Sequence, residues 1–445
     1  MYLPKNVLLC IDTLEKAGYD AYAVGGCVRD SLLGLTPHDY DLCTNALPEE
    51  TAGLFPDRTL VRSGEKHGTI GVVFDKQVIE ITTFRTEGGY QDSRHPGWVR
   101  FVPDVKEDLS RRDFTVNAMA YNPKTGYIDP FGGRDDLQRG ILRAVGDPQK
   151  RFTEDALRIL RGVRFGVRFS LRPTEGTLSA MNTLSPLMDN LARERVFDEL
   201  CKLLPLLKAG DMARYARILT QVIPPLASTL GFDQKNPHHI YDVYTHTAKV
   251  VENAPTDLAV RWAAVLHDCG KPACFTQDEQ GIGHFYGHAE VSAQMADSLL
   301  LALKAPTALR ERVVFLIEKH MTPLEPDKKL LCRRLGQYGV DALKQLVALQ
   351  KADCIGTGTH TDDRFEEISA LTEEILQEQA CLTLKDLAVN GKDLQEIGFA
   401  PGKKMGACLA WLLEQVQDEK LPNEKEALLA AAKGFPRGEA VSEAD

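Results

Sequence analysis

Two aspartates one residue apart, Asp39 and Asp41, follow closely behind the small-residue turn Gly25-Gly26. In an extended strand residues i and i+2 share a face. Both carboxylates are therefore expected to face one cleft, with Tyr40 turned away. Adjacent carboxylates repel, and hard divalent cations held by oxygen ligands relieve that repulsion. The glycine turn opens a helix and offers backbone N–H groups to an anion. Together these features read as a site for a metal-bound triphosphate. Glu80 lies on a β-branched run and supplies a third carboxylate if that run pairs beside the aspartates; the alternative is a surface glutamate on an edge strand. Two metal ions in such a site would activate an attacking hydroxyl and stabilise a leaving pyrophosphate. Phosphoryl transfer needs mainly positioning and charge compensation, and Arg29 and Arg112 are placed to compensate charge. Asp113 and Asn117 either contact a ribose or cap and start a helix.

A second set of residues bears on substrate choice. Asp155 and Arg158, read as i and i+3 on one helix face, offer a carboxylate to an exocyclic amine and a guanidinium to a ring acceptor. Cytosine and adenine present an amine beside an acceptor, whereas uracil and guanine present a carbonyl there. Such a pair would accept C and A without a template; its plain alternative is a helix salt bridge. Arg158, Arg161 and Arg164 recur every three residues and drift slowly around one face. They belong to a basic run from Arg139 to Arg172 opposed only by Asp147, Glu154 and Asp155.

A third set lies far along the chain. His246, the doublet His267-Asp268 and the late Asp353 form a mixed N/O set suited to a divalent transition metal. Such a metal activates water against a phosphate ester. His284, His288 and His320 fall between them.

The elements that must hold these residues are legible in outline. The first helix, in the N-terminal twenty residues, reads as amphipathic rather than as a signal peptide. Residues 1–145 alternate short β-branched runs with helices. The runs Gly68–Phe74 and Val78–Phe84 flank Asp75-Lys76-Gln77, which suits a hairpin. Residues 146–230 are helical by pattern, including Thr153–Phe169 and Ala192–Leu207. Residues 231–370 are helical and His-rich, and 371–445 form a small helical tail. The fold class expected is α+β: a head with a small mixed sheet, followed by all-α regions. At 445 residues the chain has room for several domains. No run of about 20 uncharged apolar residues is present, so no membrane span is expected. Ten scattered cysteines without a C-x-x-C pair suggest reduced thiols and a cytoplasmic setting. A net charge of −10 excludes a uniformly basic nucleic-acid coat but not a local basic groove.

V-G-G-C-V-R-D, P-H-D-Y-D-L, I-E-I-T-T-F-R, R-R-D-F-T-V-N-A-M-A, D-P-F-G-G-R-D-D-L and E-D-A-L-R-I-L-R-G-V-R-F occur in the order found in class II CCA-adding tRNA nucleotidyltransferases. The chain resembles that family from about residue 20 to 205, including Glu194-Arg195-Val196, and bacterial poly(A) polymerases share the same head. The resemblance implies a polymerase β-like nucleotidyltransferase head and a helical neck. It also implies Mg²⁺ on Asp39 and Asp41, and addition of C, C and A to a tRNA 3′ end from CTP and ATP. Carried over, Gly26, Arg29, Arg112, Asp155, Arg158, Arg161 and Arg164 touch the nucleotide, and Glu80 takes the third acidic position. The polar segment Thr86–Pro96 resembles a flexible loop of CCA- and A-adding members, which disfavours a CC-only enzyme. The order H…HD…D resembles the HD phosphohydrolase superfamily, with His246, His267, Asp268 and Asp353 as metal ligands. His288 and His320 fit the extra ligands of its two-metal members. A phosphatase or 2′,3′-cyclic phosphodiesterase activity is then expected beside nucleotide addition. An A-adding enzyme, a poly(A) polymerase, and an HD phosphohydrolase with a non-catalytic RNA-binding head are the alternatives.

Overall fold

The computed structural model describes residues 1–435 apart from 76, 89–96, 237–239, 359–362 and 379. The chain divides into two compact units, one made of residues 1–227 with 302–305 and the other of 228–301 with 306–445.

The first unit is built on a sheet. Its strands are β1 (Ala21–Val24), β2 (Asp41–Thr44), β3 (Leu60–Val61), β4 (Thr69–Phe74), β5 (Gln77–Thr83), β8 (Ala120–Asn122) and β9 (Gly126–Ile128). A separate hairpin joins β6 (Arg85–Gly88) to β7 (Trp98–Phe101). The sheet order is β3-β4-β5-β2-β1-β8-β9, with β2 and β5 parallel and the other pairs antiparallel, so the sheet is mixed. The β4–β5 turn is tighter than the sequence suggests, because Phe74 already pairs with Gln77.

Helix α1 (Lys5–Lys16) buries Val7, Cys10, Ile11 and Leu14 at helical spacing, as its amphipathic pattern requires. These residues share one core with Leu42, Val72, Phe74, Ile79 and Ile81. Val24, Cys43, Phe84, Leu109 and Ala120 form a second core. The short helices α2 (Gly26–Leu32), α3 (Pro48–Gly53), α4 (Val105–Ser110) and α5 (Gly133–Gln138) connect the strands.

The helical run that follows departs from the expected pattern. Thr153–Phe169 is not one helix: α6 (Pro148–Glu154) stops, Asp155 is extended at φ −143° and ψ 103°, and α7 (Leu157–Arg168) starts anew. The break follows from the Asp155 side chain, whose Oδ1 accepts from Leu157 N at 3.0 Å. An Asp offering the backbone that alternative competes with helix continuation. Helix α8 (Glu175–Leu184) and helix α9 (Arg193–Leu203) complete the layer over α7, with α9 ending in a 3₁₀ turn at Leu204–Leu206.

Among its described residues the second unit is helical apart from one two-stranded pair, Thr276–Gln277 with Gly283–His284. Its helices include Val243–Asn253, Leu258–Leu266, His288–Ala302, Thr307–Lys319, Val340–Gly356 and Arg364–Gln377, the last running unbroken past residue 370. A small cluster around Val389, Leu394, Cys408, Leu412 and Leu428 packs the C-terminal helices. No helix among the described residues is long and apolar enough to cross a membrane.

Candidate functional site

The carboxylates are positioned by the parallel β2–β5 pair. Leu42 lies opposite Ile81, and both belong to the first core. One residue earlier, Asp41 and Glu80 therefore share the opposite face. Tyr40 is buried, while Asp39, Asp41 and Glu80 are exposed. The aspartates thus stand on either side of an inward-turned tyrosine, although only Asp41 is in the strand itself. Although Asp41 keeps an exposed edge, the protein packed around its carboxyl and the charges of Glu80 and Asp39 raise it above the ordinary range, against the pull of Arg112. Charge of that sign crowded at one point favours a cation. Three oxygen donors suit Mg²⁺, which prefers one or two carboxylates and keeps its other positions for water and phosphate.

Beside them lies a cavity of about 480 Å³. Gly26, Arg29, Asp41 and Arg112 reach it from the head, and Asp155, Arg158, Arg161 and Arg164 from the helical run. Asp39 and Glu80 do not line it. Gly25 sits at φ +76°, and a Cβ there would come within 2.6 Å of Arg112 Nη1, so glycine lets the arginine lie against the turn.

The arginines are held by partners distant in sequence. Asp113 is buried; its Oδ2 lies 2.8 Å from Arg161, and its Oδ1 accepts from Asn117 at 3.0 Å. Asn117 Oδ1 accepts from Arg29 at 2.5 Å, and Arg29 also contacts Asp30 at 2.6 Å. Burial works to raise the Asp113 carboxyl, but the Arg161 charge and the Asn117 and Arg161 hydrogen bonds bring it down to about 2. Asp113 and Asn117 thus cap no α-helix; only a 3₁₀ turn, Thr115–Asn117, follows. Arg164 pairs with Glu199 of α9 at 2.5 Å. The stacked rings of Phe165 and Phe169, 6.1 Å apart, carry Arg29, Arg161, Arg164 and Arg168 around them at 4.3–5.2 Å.

Asp155 and Arg158 both line the cavity, but not as neighbours on one helix face. Asp155 precedes α7 and its Oδ2 pairs with Arg195 at 3.2 Å. Arg158 instead pairs with Glu154 at 3.0 Å and donates to the carbonyls of Arg151 and Arg111. No i,i+3 salt bridge joins the two among the described residues. Arg195, Glu199 and Phe165 were not singled out as site residues from the sequence; a polar residue on an otherwise apolar face of α9 was the available signal for Glu199. Of the polar segment 86–96, residues 89–96 lie outside the described residues, and its flanks form β6 and β7.

The second unit brings together all six of its predicted ligands. His246 Nε2 lies 3.3 Å from Asp268 and 3.0 Å from Asp353; His267 Nε2 lies 3.3 Å and 3.6 Å from the same two. His288 Nε2 lies 3.4 Å from Asp268 and 3.2 Å from His320 Nε2. His246, His267 and Asp268 form one compact group, and Asp268, His288 and His320 another. His284 stands apart on Asp278. Lys271, which sequence reasoning passed over, is buried with Nζ 2.7 Å from Asp268.

The ring orientations test whether a cation fits. His288 Nδ1 lies 2.8 Å from the Phe285 carbonyl and His320 Nδ1 2.6 Å from the Ile317 carbonyl. A carbonyl only accepts, so each neutral ring carries its proton on Nδ1 and leaves Nε2 bare. Two bare lone pairs 3.2 Å apart repel unless a proton or a metal ion joins them. His267 is held the same way, by Ala264 O at 2.9 Å. Backbone-anchored imidazoles with Nε2 converging are the arrangement of metal ligands. Burial draws His267 down, yet Asp268 and Asp353 carry it above its ordinary range, so that a positive charge, proton or cation, is favoured at its Nε2, whereas burial and that charge hold His320 below its ordinary range. Both carboxylates stay well below their usual range, since the imidazoles outweigh burial.

Comparison with known proteins gives three family matches: a poly A polymerase head domain over residues 21–143, a probable RNA and SrmB-binding site of polymerase A over 170–228, and a putative tRNA nucleotidyltransferase domain 2 over 274–432. The CCA-adding enzyme of Levilactobacillus brevis is 36% identical over 95% of both chains. That of Streptococcus gordonii is 35% identical over 97% of this chain and 98% of its own. Among solved structures, the Bacillus stearothermophilus CCA-adding enzyme in complex with CTP superposes with a TM-score of 0.70, at 29% identity and 98% coverage of each chain.

Proposed function

The chain belongs to the class II CCA-adding enzyme and poly(A) polymerase family, and from that premise we propose that it adds C, C and A to the 3′ end of tRNA, using CTP and ATP. The observation that carries this reading is the joining of Asp41 to the Asp155–Arg158 and Arg161–Arg164 residues around one cavity of nucleotide size. Asp39 and Asp41 are the residues that would hold Mg²⁺, with Glu80 beside them. Bound there, divalent ions supply charge for the attacking hydroxyl and the leaving pyrophosphate. The chain's own residues do the rest. Arg29, Arg112, Arg161 and Arg164 neutralise the triphosphate and fix its direction. The acceptor 3′-oxygen attacks the α-phosphorus, the bond to the bridging oxygen breaks, and pyrophosphate leaves with that electron pair.

Selection of C and A rests on Asp155 accepting from the exocyclic amine and Arg158 donating to the neighbouring ring acceptor. Arg195 and Glu154 hold these two groups apart and aimed, a division of labour that suits nucleotide reading better than a salt bridge between them would. The reading is tested by supplying tRNA that ends at the discriminator base with each nucleoside triphosphate singly. CTP incorporation without UTP or GTP incorporation is expected. A chain that takes only ATP would instead be an A-adding enzyme or a poly(A) polymerase.

A second activity is supported by the converging imidazoles. We propose that residues 231–370 form an HD domain, with His246, His267, Asp268 and Asp353 holding a divalent transition metal and His288 and His320 providing further ligands. When bound, the metal would supply an activated water for a phosphate ester. Lys271 and Asp268 fix the charge balance of the cluster, and the backbone carbonyls of Ala264, Phe285 and Ile317 fix ring tautomers. Hydrolysis of bis(p-nitrophenyl) phosphate on addition of Ni²⁺, Co²⁺ or Mn²⁺, lost in Asp268→Asn, is the expected result; hydrolysis unchanged in that variant contradicts it.

A further inference from the structure

The first unit holds a second cavity, of about 740 Å³, whose wall includes Arg111 as the nucleotide cavity's does. The partition between the two is a polar network. Arg151 Nη1 and Arg158 Nη2 both donate to the Arg111 carbonyl at 3.1 Å, and Glu154 lies between Arg151 at 2.8 Å and Arg158 at 3.0 Å. On the far side of this partition stands Trp98 of β7, 53% exposed. Its position is built. A Cβ on the facing residue, Gly88, would come within 2.7 Å of the indole, so glycine lets the ring lie flat against β6. One face of the indole is thereby covered by Gly88, and much of the ring stays open to solvent.

The rest of the wall describes what that ring receives. Ser110 Oγ donates to the Glu107 carbonyl at 2.7 Å, and Thr153 Oγ1 donates to the Gln149 carbonyl at 2.8 Å. Their protons are thus committed, and they offer the cavity acceptors. Glu87 pairs with Arg85 and Arg111, and Glu154 with Arg151 and Arg158, which leaves these two carboxylates neutralised, while Asp147 at the start of α6 accepts from Gln149 N at 3.0 Å and keeps its charge at the cavity's rim. Lys150, exposed on α6, has no ion-pair partner among the described residues. An open aromatic ring, hydrogen-bond acceptors and a single uncommitted cation match a single-stranded nucleic-acid end: base on indole, exocyclic amine or ribose hydroxyl on the acceptors, phosphate on the ammonium.

We propose that this chamber binds the single-stranded 3′ end of the acceptor RNA, with one base stacked on Trp98 and a phosphate at Lys150. The inference rests on the nucleotide-adding reading above; since the terminal 3′-oxygen must reach the α-phosphorus beside Asp41, the base held on Trp98 is one that precedes the terminal nucleotide of the single-stranded end. Acceptors in its wall suit cytosine and adenine, whose amines the growing end would carry.

The test uses the full chain and an acceptor-stem minihelix ending in unpaired C-C, its terminal ribose 3′-deoxy. Titration is expected to quench tryptophan fluorescence, and Trp98→Phe to lose that quench while Trp262 and Trp411 remain. In turnover, Trp98→Ala is expected to raise KM for tRNA about tenfold, with KM for CTP unchanged and Trp98→Phe largely restoring it. Lys150→Gln is expected to flatten the dependence of RNA affinity on salt. An undiminished quench in Trp98→Phe, or an unchanged KM for tRNA in Trp98→Ala, overturns the proposal. Failure of the wild-type chain to extend any tRNA would instead strike the underlying reading, and the fluorescence titration separates the two because it requires no catalysis.

Discussion

At the scale of single residues, the site depends on charges that its neighbours keep in place. Asp113 is the clearest case, since its carboxyl is brought from an ordinary 3.8 down to about 2 by Arg161 and Asn117 against burial. A depressed carboxylate stabilises the fold above its unfolded value and loses that contribution as pH falls through the folded one. Asp113→Asn should therefore cost about 2 kcal/mol at pH 7, and roughly half of that at pH 3. Urea midpoints at the two pH values measure the gap, and a gap of constant size would contradict the ion-pair account. Asp39 and Asp41 were singled out by residue type and i,i+2 spacing, Glu80 only on condition of strand pairing, and Arg161 and Arg164 through the family resemblance; the structure brings Asp41 and the arginines, but not Asp39 or Glu80, to one cavity. The partners of those arginines were not legible. Asp113 reaches Arg161 across 48 positions and Asp155 reaches Arg195 across 40, and no pattern within one element signals such pairings.

At the scale of elements, two features place the site: the parallel β2–β5 pair, which sets Glu80 beside Asp41, and the break between α6 and α7. The pairing was only a conditional expectation from the sequence, because β5 is a β-branched run whereas β2, Asp-Leu-Cys-Thr, carries a single β-branched residue and no clear strand pattern. The break was not, because the apolar spacing on either side continues without a gap and only the side chain of Asp155 interrupts it. Helix α7 is then fastened to α9 by Arg164 and Glu199, both nearly buried. Removing one member of such a pair leaves an uncompensated buried charge. Glu199→Ala is expected to destabilise the first unit by about 3 kcal/mol and to raise KM for nucleotide, since Arg164 loses the group that aims it. Thermal unfolding with and without CTP checks both; an unaltered midpoint would show that the pair contributes nothing net.

At the scale of the whole molecule, the two clusters lie in separate compact units, the carboxylates and arginines in one and the imidazoles in the other. The two activities are therefore expected to be separable. Asp39→Ala should abolish nucleotide addition and leave phosphodiester hydrolysis within about twofold of wild type, and His267→Ala should do the reverse. Loss of both activities in either variant would argue against two independent sites. The change to a His-rich helical pattern suggested a boundary near residue 230, and the two units divide at 227/228 with residues 302–305 joining the first; the six imidazoles and carboxylates come from distant helices, and no pattern within one element marks them as neighbours. The central claim is tested most directly by sequencing the 3′ ends of a tRNA that starts at its discriminator base, after incubation with CTP and ATP. Wild-type chain should yield ends extended by C, C and A and no further, and Asp41→Ala should yield unextended ends. Ends lengthened only by A, or extended equally by Asp41→Ala, would contradict it.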